Sequence, residues 1–346
     1  MMMTKRHIWI IVVSATLVVI LTAGWFVGRK IYDRKASNFN SSAELFIYPG
    51  QDWNEIGAFL TDSCDVRWKA SVRRCIEEVS GSDPRPGHYV IPEGSTSTAA
   101  ARMLSHGWQT PVKLVLSGTM RLRGGIARKI SAQMLLDSAA VASALEDPEL
   151  LNSFGFRPDN VFSLFMPDTY QVLWTDGMEE ILRRQKQAYD AFWTTENMDK
   201  ARRQGLSVEE VSILASIVKG ETNYEPEMPK IAGVYLNRLR KGMKLQADPT
   251  IAFCYDYTLN RILKKHLKIE SPYNTYRHYG LPPGPICVPT RSCLEAVLNP
   301  DSHGYLYFCA SPDMDGTHLF ATNFVAHMKN ARAFQRALTN KLRNAS

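Results

Sequence analysis

The chain has 346 residues, 45% hydrophobic and 22% charged, with a formal net charge of +7 and a pI near 9.0. That length suffices for one large core or two moderate ones, and the ordinary globular composition sets aside fibrous and disordered classes. The positive charge suits an anionic polymer or membrane headgroups, but no basic run interleaved with aromatics marks a nucleic-acid surface, so no nucleic-acid partner is expected.

The N-terminus carries the first specific signal. Residues 8–28, I-W-I-I-V-V-S-A-T-L-V-V-I-L-T-A-G-W-F-V-G, contain no charge and are long enough to cross a bilayer as a helix. Trp9 and Trp25-Phe26 mark the two interfaces. A cleaved signal peptide is the competing reading, but the apolar run exceeds a usual signal core and no small-x-small cleavage site follows it. Lys5 and Arg6 precede the span while Arg29, Lys30, Arg34 and Lys35 follow it, so charge counting alone puts the downstream side in the cytoplasm. Residues 33–42 read as a flexible polar linker.

A strand-turn-helix rhythm then appears twice. Leu45 to Gly50 leads into W-N-E-I-G-A-F-L, and His88 to Gly94 leads into S-T-S-T-A-A-A-R-M-L. A third copy, with a less typical turn, starts at Val112. This compact α/β module resembles the LysM-like region of some cell-wall proteins; the plainer alternative is an α/β subdomain that positions the rest. From Arg121 to Phe192 the pattern is mainly helical, broken at 155–158 and 166–170. The six cysteines permit two local disulfides, Cys64 with Cys75 and Cys287 with Cys293, or serve equally well as buried thiols.

Ser207 with Glu210 forms a capping box, which predicts a helix onset. Val211, Leu214, Ala215 and Val218 make its apolar face, and Glu221 continues that stripe. A carboxylate there loses hydration, which raises its pKa toward the range of a general acid near neutral pH. A second helix is predicted over 230–241, closed by Gly242, and Pro249 predicts extended or turning backbone over 245–250. A basic helical piece over 259–268 precedes long proline-rich loops at 271–276 and 280–286, of a length that is usually functional. Strands at 305–310 and near 315–320 and a final helix over 323–342 complete the reading.

The motifs I-V-K-G-E-T at 217–222, Y-L-N-R-L at 235–239, G-M-K-L-Q-A-D-P-T at 242–250, S-P-Y-N-T-Y at 271–276, G-L-P-P-G-P-I at 280–286, Y-L-Y-F at 305–308 and D-G-T-H-L-F at 315–320 carry a resemblance. With M-P-D-T-Y at 166–170, the chain from about residue 45 resembles the endolytic murein transglycosylase (YceG-like) family. The fold so implied is α+β: an anchor over 1–36, a linker and LysM-like module over 37–118, and a helix-rich catalytic domain with a small sheet over 119–346. The resemblance implies a single-pass inner-membrane protein with a cytoplasmic N-terminus and a periplasmic catalytic domain, reversing the raw charge count. It implies peptidoglycan strands as substrate and names the synthases (penicillin-binding proteins) as candidate partners. The family's catalytic glutamate maps onto Glu221, while Lys219 stands where many members carry a further glutamate.

One carboxyl suffices for such a lyase, first protonating the leaving oxygen and then accepting the C6 hydroxyl proton. A hydrolase needs a partner carboxylate, for which Asp248 or Glu225 applies. Asn237, Gln246, Thr250 and Asn274 offer hydrogen bonds to acetamido and hydroxyl groups, Asp248 an acceptor, and Tyr273 and Tyr276 stacking faces; His318 is read as a cleft or turn residue. The histidines lack paired ligand spacing, no serine or cysteine nucleophile signature is present, and nothing implies a metal or cofactor. A membrane-tethered, non-catalytic glycan-binding scaffold is the alternative of another class.

Overall fold

The computed structural model describes residues 5–343. It contains α1 (Lys5–Lys35), β1 (Ala43–Ile47), α2 (Trp53–Asp62), α3 (Lys69–Val79), β2 (Gly87–Ile91), α4 (Ser97–His106), β3 (Val112–Leu116), α5 (Arg123–Ser131), α6 (Ser138–Ala144) and α7 (Pro148–Ser153). Then follow β4 (Asp168–Val172), α8 (Met178–Phe192), α9 (Thr195–Gln204), α10 (Val208–Glu221), α11 (Met228–Arg240), α12 (Asp248–Cys254), α13 (Arg291–Leu298), β5 (Tyr307–Ala310), β6 (His318–Ala321) and α14 (Phe324–Arg343). The strands pair in three two-stranded sheets, β1 with β2, β3 with β4, and β5 with β6, so the architecture is a helix-rich α+β. The chain divides into two compact units, residues 1–112 with 171–175, and residues 113–170 with 176–346.

In the first unit, β1 and β2 are antiparallel, with Leu45 opposite Tyr89 and Ile47 opposite Gly87. Ala43, Leu45 and Ile47 point inward and Glu44 and Phe46 outward, the period-two alternation of a half-buried strand. Asp52 caps α2 through the Glu55 amide (2.9 Å) and Thr96 caps α4 through Ala99 (3.1 Å). Leu60, Val72, Tyr89, Ile91 and Leu104 close the core between these elements. α1 contains an apolar stretch long enough to cross a membrane, with its side chains exposed, and fits a single-pass anchor.

The segment read as a flexible linker is packed instead. α1 runs on to Lys35, and Asp33 receives Arg74 Nη2 at 2.6 Å and Ser71 Oγ at 2.5 Å. Phe39 is 1% exposed, and buried Asn38 donates to Ser97 Oγ at 2.8 Å. The side chains of Asp33, Asn38 and Asn40 are bonded to protein groups, while Ser37, Ser41 and Ser42 stay exposed.

In the second unit, α10 sits at the centre. The capping box at Ser207 and Glu210 is present, with both reciprocal bonds made. The sequence pattern gives α10 a single apolar face, yet every residue from Val211 to Val218 is buried, including Ser212 and Ser216. α11, α12 and α13 pack around it, and Ser216 Oγ, donating to Ile213 O at 2.6 Å, accepts the Ile286 amide at 3.0 Å. α11 ends at Gly242 in the left-handed region (φ +61°), as the glycine signal requires.

Three local readings need correction. Pro249 opens α12 rather than preventing it, because proline in the first helical turn lacks only an amide that has no intrahelical partner there. The basic stretch over 259–268 forms only a 3₁₀ turn at His266–Lys268, and β4 starts within the break read at 166–170. Of the two alternatives left open for the six cysteines, the free thiol is the one found in all six, with Cys75, Cys287 and Cys293 buried.

Candidate active site

The C-terminus of α10 carries Glu221 to the wall of a cavity of about 360 Å³. Tyr235, Arg238, Gln246, Asp248 and Tyr276 line one part of it; Tyr307 to Ala310, His318, Phe324 and His327 line the rest. The carboxyl of Glu221 is raised to about 7, chiefly by burial, against the hydrogen bond from Tyr235, with the Asp248 charge adding to the rise and Arg238 opposing it. The Tyr235 hydroxyl donates to Glu221 Oε1. These two groups, 14 residues apart, meet because α10 and α11 pack together.

Arg238 is buried and held by its own bonds, Nε to Leu306 O and Nη1 to Leu245 O, both at 2.6 Å. Its guanidinium lies 5.2 Å from the centre of the Tyr307 ring. Asp248 accepts the Tyr276 hydroxyl at 2.5 Å, which orients the carboxylate within the cavity. Gln246 has φ +48°, a conformation uncommon for a side chain other than glycine. It sits between buried Leu245 and Ala247, and the amides of Gln246 and Ala247 donate to Thr275 O (3.1 Å) and Thr275 Oγ1 (3.0 Å). That anchoring holds the strained turn and leaves the Gln246 side chain exposed at the cavity.

His318 lines the cavity with its Nδ1 2.8 Å from Glu227 Oε2 while its amide donates to Glu227 Oε1 at 3.0 Å. Four residues nominated from sequence lie outside the lining. Asn237 donates to His303 O (2.8 Å) and Tyr305 O (3.1 Å), tying α11 to the approach of β5. Thr250 is buried, bonded to Ala247 O (2.7 Å) and Thr275 Oγ1 (2.9 Å). Asn274 is buried and donates to Leu267 O and Ile269 O, holding an irregular loop. Tyr273 packs on Phe253, ring centres 4.7 Å apart. These four serve backbone and packing needs that compete with any ligand for the same atoms.

Apart from His318 on β6, sequence reasoning missed the contribution of the β5–β6 hairpin and of α14. Tyr307 stacks on His327 (5.3 Å, 23° between planes) and packs on Phe324. Phe308 meets the rings of Tyr235 and His318 edge-on. Burial and the Arg238 charge lower the His327 pKa from its usual value, and its Nδ1 is buried with no partner among the described residues. The Y-L-Y-F run signalled a strand, and its aromatic content was the available hint of a sugar-facing wall. Lys219 lies apart from this lining: its ammonium donates to Asn223 Oδ1 at 2.7 Å and it borders a separate small cavity with Arg121 and Tyr257. The cation acting on Glu221 is Arg238. Among the described residues no group of three or more histidine, cysteine or acidic side chains is arranged to hold a metal.

The model of the YceG-like family matches residues 45–333. An endolytic murein transglycosylase of Bacillus subtilis is 26% identical over 326 residues, covering 90% of this chain and 89% of that protein. One from Streptococcus pneumoniae is 26% identical over 228 residues, 61% of this chain and 40% of the longer relative. A crystal structure of a YceG-like protein from Listeria monocytogenes aligns with a TM-score of 0.55 at 27% identity, covering 84% of this chain and 98% of that one.

Proposed function

Since the chain belongs to the YceG-like family, we propose that it is a membrane-anchored lytic transglycosylase acting on peptidoglycan, with Glu221 as its single acid and base. The observation that carries this reading is the Glu221 carboxyl, raised to about 7 at the wall of an aromatic and polar cavity. The relatives named endolytic murein transglycosylase support the substrate class and cleavage within strands.

In this reaction Glu221 gives its proton to the glycosidic oxygen linking N-acetylmuramic acid to N-acetylglucosamine as the bond to muramic C1 breaks. The muramic C6 hydroxyl then closes on C1 and its proton returns to Glu221, leaving a 1,6-anhydro end and consuming no water. A pKa near 7 makes both steps accessible to one group. The Tyr235 hydroxyl occupies Oε1, which leaves Oε2 to carry the proton. The Asp248 carboxylate supports positive charge developing at C1, Gln246 and His327 offer polar contacts, and Tyr307 and Phe308 offer faces to sugar rings.

Against the raw charge count around the span, the family favours an N-terminus in the cytoplasm and a catalytic unit on the periplasmic side, where nascent glycan lies, with peptidoglycan synthases as neighbours. The βααβ arrangement of β1, α2, α3 and β2 is compatible with a LysM-like glycan-binding role for the first unit. The location of Asp248 in the same cavity gives a second reading, a hydrolase in which both carboxylates act. Digested glycan separates the two: anhydro ends weigh one water less than reducing ends. Glu221→Gln is expected to leave folding and glycan binding intact and to abolish cleavage; retained cleavage removes Glu221 from the mechanism.

A further inference from the structure

A second large concavity lies within the first unit. Trp25, Gly28, Arg29 and Tyr32 of α1 face Trp68, Ala70 and Arg74 at the start of α3 across a groove of about 500 Å³. The four α1 residues stand at i, i+3, i+4 and i+7 and so form one stripe along the helix. Gly28 opens the middle of that stripe, since a side-chain carbon placed there meets nothing within 4 Å. Trp68 is 54% exposed, yet its position is fixed. Asn38 Oδ1 accepts its amide at 2.7 Å, Asn38 Nδ2 donates to its carbonyl at 3.0 Å, and its ring centre lies 4.7 Å from that of Tyr32. An indole held rigidly in the open beside an apolar helix is the arrangement of an interfacial aromatic.

The Arg29 guanidinium leans back over Trp25 (4.8 Å) and Phe26 (5.2 Å), toward the uncharged run. Of the two cations in the lining, Arg74 is paired with Asp33 at 2.6 Å, which leaves Arg29 to meet an anion; Arg67, Lys69 and Arg73 are exposed outside the lining, Lys69 3.5 Å from Asp62. The groove is therefore aromatic and apolar along Trp25, Gly28 and Trp68, with the Arg29 cation beside the indole of Trp25, complementary to an anionic amphiphile. The groove also adjoins Trp25, near the end of the apolar run, at the level of the headgroups once α1 spans a bilayer.

We propose that this groove seats one anionic phospholipid, its phosphate at Arg29 and its upper acyl chain in the gap over Gly28 between Trp25 and Trp68. The first unit then binds the membrane surface through a specific lipid as well as through the span. This inference rests on α1 being a membrane span, and the test separates the two.

The full chain, purified in mild detergent, is mixed with phosphatidylglycerol or phosphatidylcholine and the lipid retained per chain is read by native mass spectrometry. One phosphatidylglycerol is expected to be retained in preference to phosphatidylcholine. Gly28→Leu, whose Cβ meets nothing within 4 Å, and Trp68→Ala are each expected to reduce that retention about fivefold, and Arg29→Gln to abolish the headgroup preference. Far-UV circular dichroism checks that each variant is folded. Equal retention by the parent chain and Gly28→Leu, absence of headgroup preference, no retained lipid, or displacement by millimolar inorganic phosphate overturns the proposal. Alkaline carbonate extraction of membranes reports on the span alone: release of the chain by carbonate refutes the anchor, while an integral chain without selective retention refutes only the lipid seat.

Discussion

Glu221 is tuned by neighbours that pull in opposite directions, and this gives the catalytic reading a signed test. Tyr235 lowers its pKa from a baseline raised by burial, and Asp248 raises it. The first step needs protonated Glu221, so activity is expected to fall as pH rises through about 7. Tyr235→Phe should move that descending limb to higher pH and Asp248→Asn to lower pH, both read from kcat/KM against pH. Shifts in the same direction would refute the assigned balance. The linked stability effect also has a definite sign. The folded state holds the Glu221 proton up to about 7, and the unfolded chain releases it near 4.5, so this group destabilises the fold progressively between those values. Glu221→Gln should therefore gain stability relative to the parent as pH rises from 5 to 8, by up to a few kcal/mol. The desolvation of Glu221 was legible because it follows a buried stripe. The fates of Asn237, Thr250 and Asn274 were not, since the same amides and hydroxyls serve a loop backbone or a ligand according to a path that no local pattern encodes.

At the scale of elements, the position of Glu221 depends on how closely α10 approaches α12. A Cβ on Gly220 would lie 2.4 Å from Pro249 Cβ and 2.8 Å from Pro249 Cγ, so a glycine here permits the contact. Gly220→Ala is expected to push the end of α10 from α12, destabilise the second unit by about 1–3 kcal/mol, and lower kcat more than it weakens glycan binding. Thermal unfolding and steady-state rates check both parts; unchanged stability and rate would show that the contact yields freely. Helix ends with side-chain or glycine signals, such as Ser207 and Gly242, were readable from sequence. Pro249 was misread because the same residue stops one helix and starts another, and only its place relative to the first turn distinguishes the two. The β5–β6 hairpin was located as strands, but its role in the cavity depends on long-range packing against α11 and α14.

For the molecule as a whole, the joint after α1 matters most. Asn38 is fully buried and bonds both backbone groups of Trp68 and the Ser97 hydroxyl. Asn38→Ala would strand those groups and is expected to destabilise the first unit by about 2–3 kcal/mol, with protease cleavage appearing within residues 36–42. Persistent resistance to cleavage would mean that the joint is held by Phe39 and Asp33 without it. A free tether of that length would span roughly 15 Å between its ends in every direction. The packed joint removes that freedom, so once α1 lies in a bilayer the first unit drifts and spins in the plane but gains no height. Its meetings with other molecules become a two-dimensional search at one fixed altitude, timed by lateral diffusion of the embedded helix and not by concentration in the space beyond.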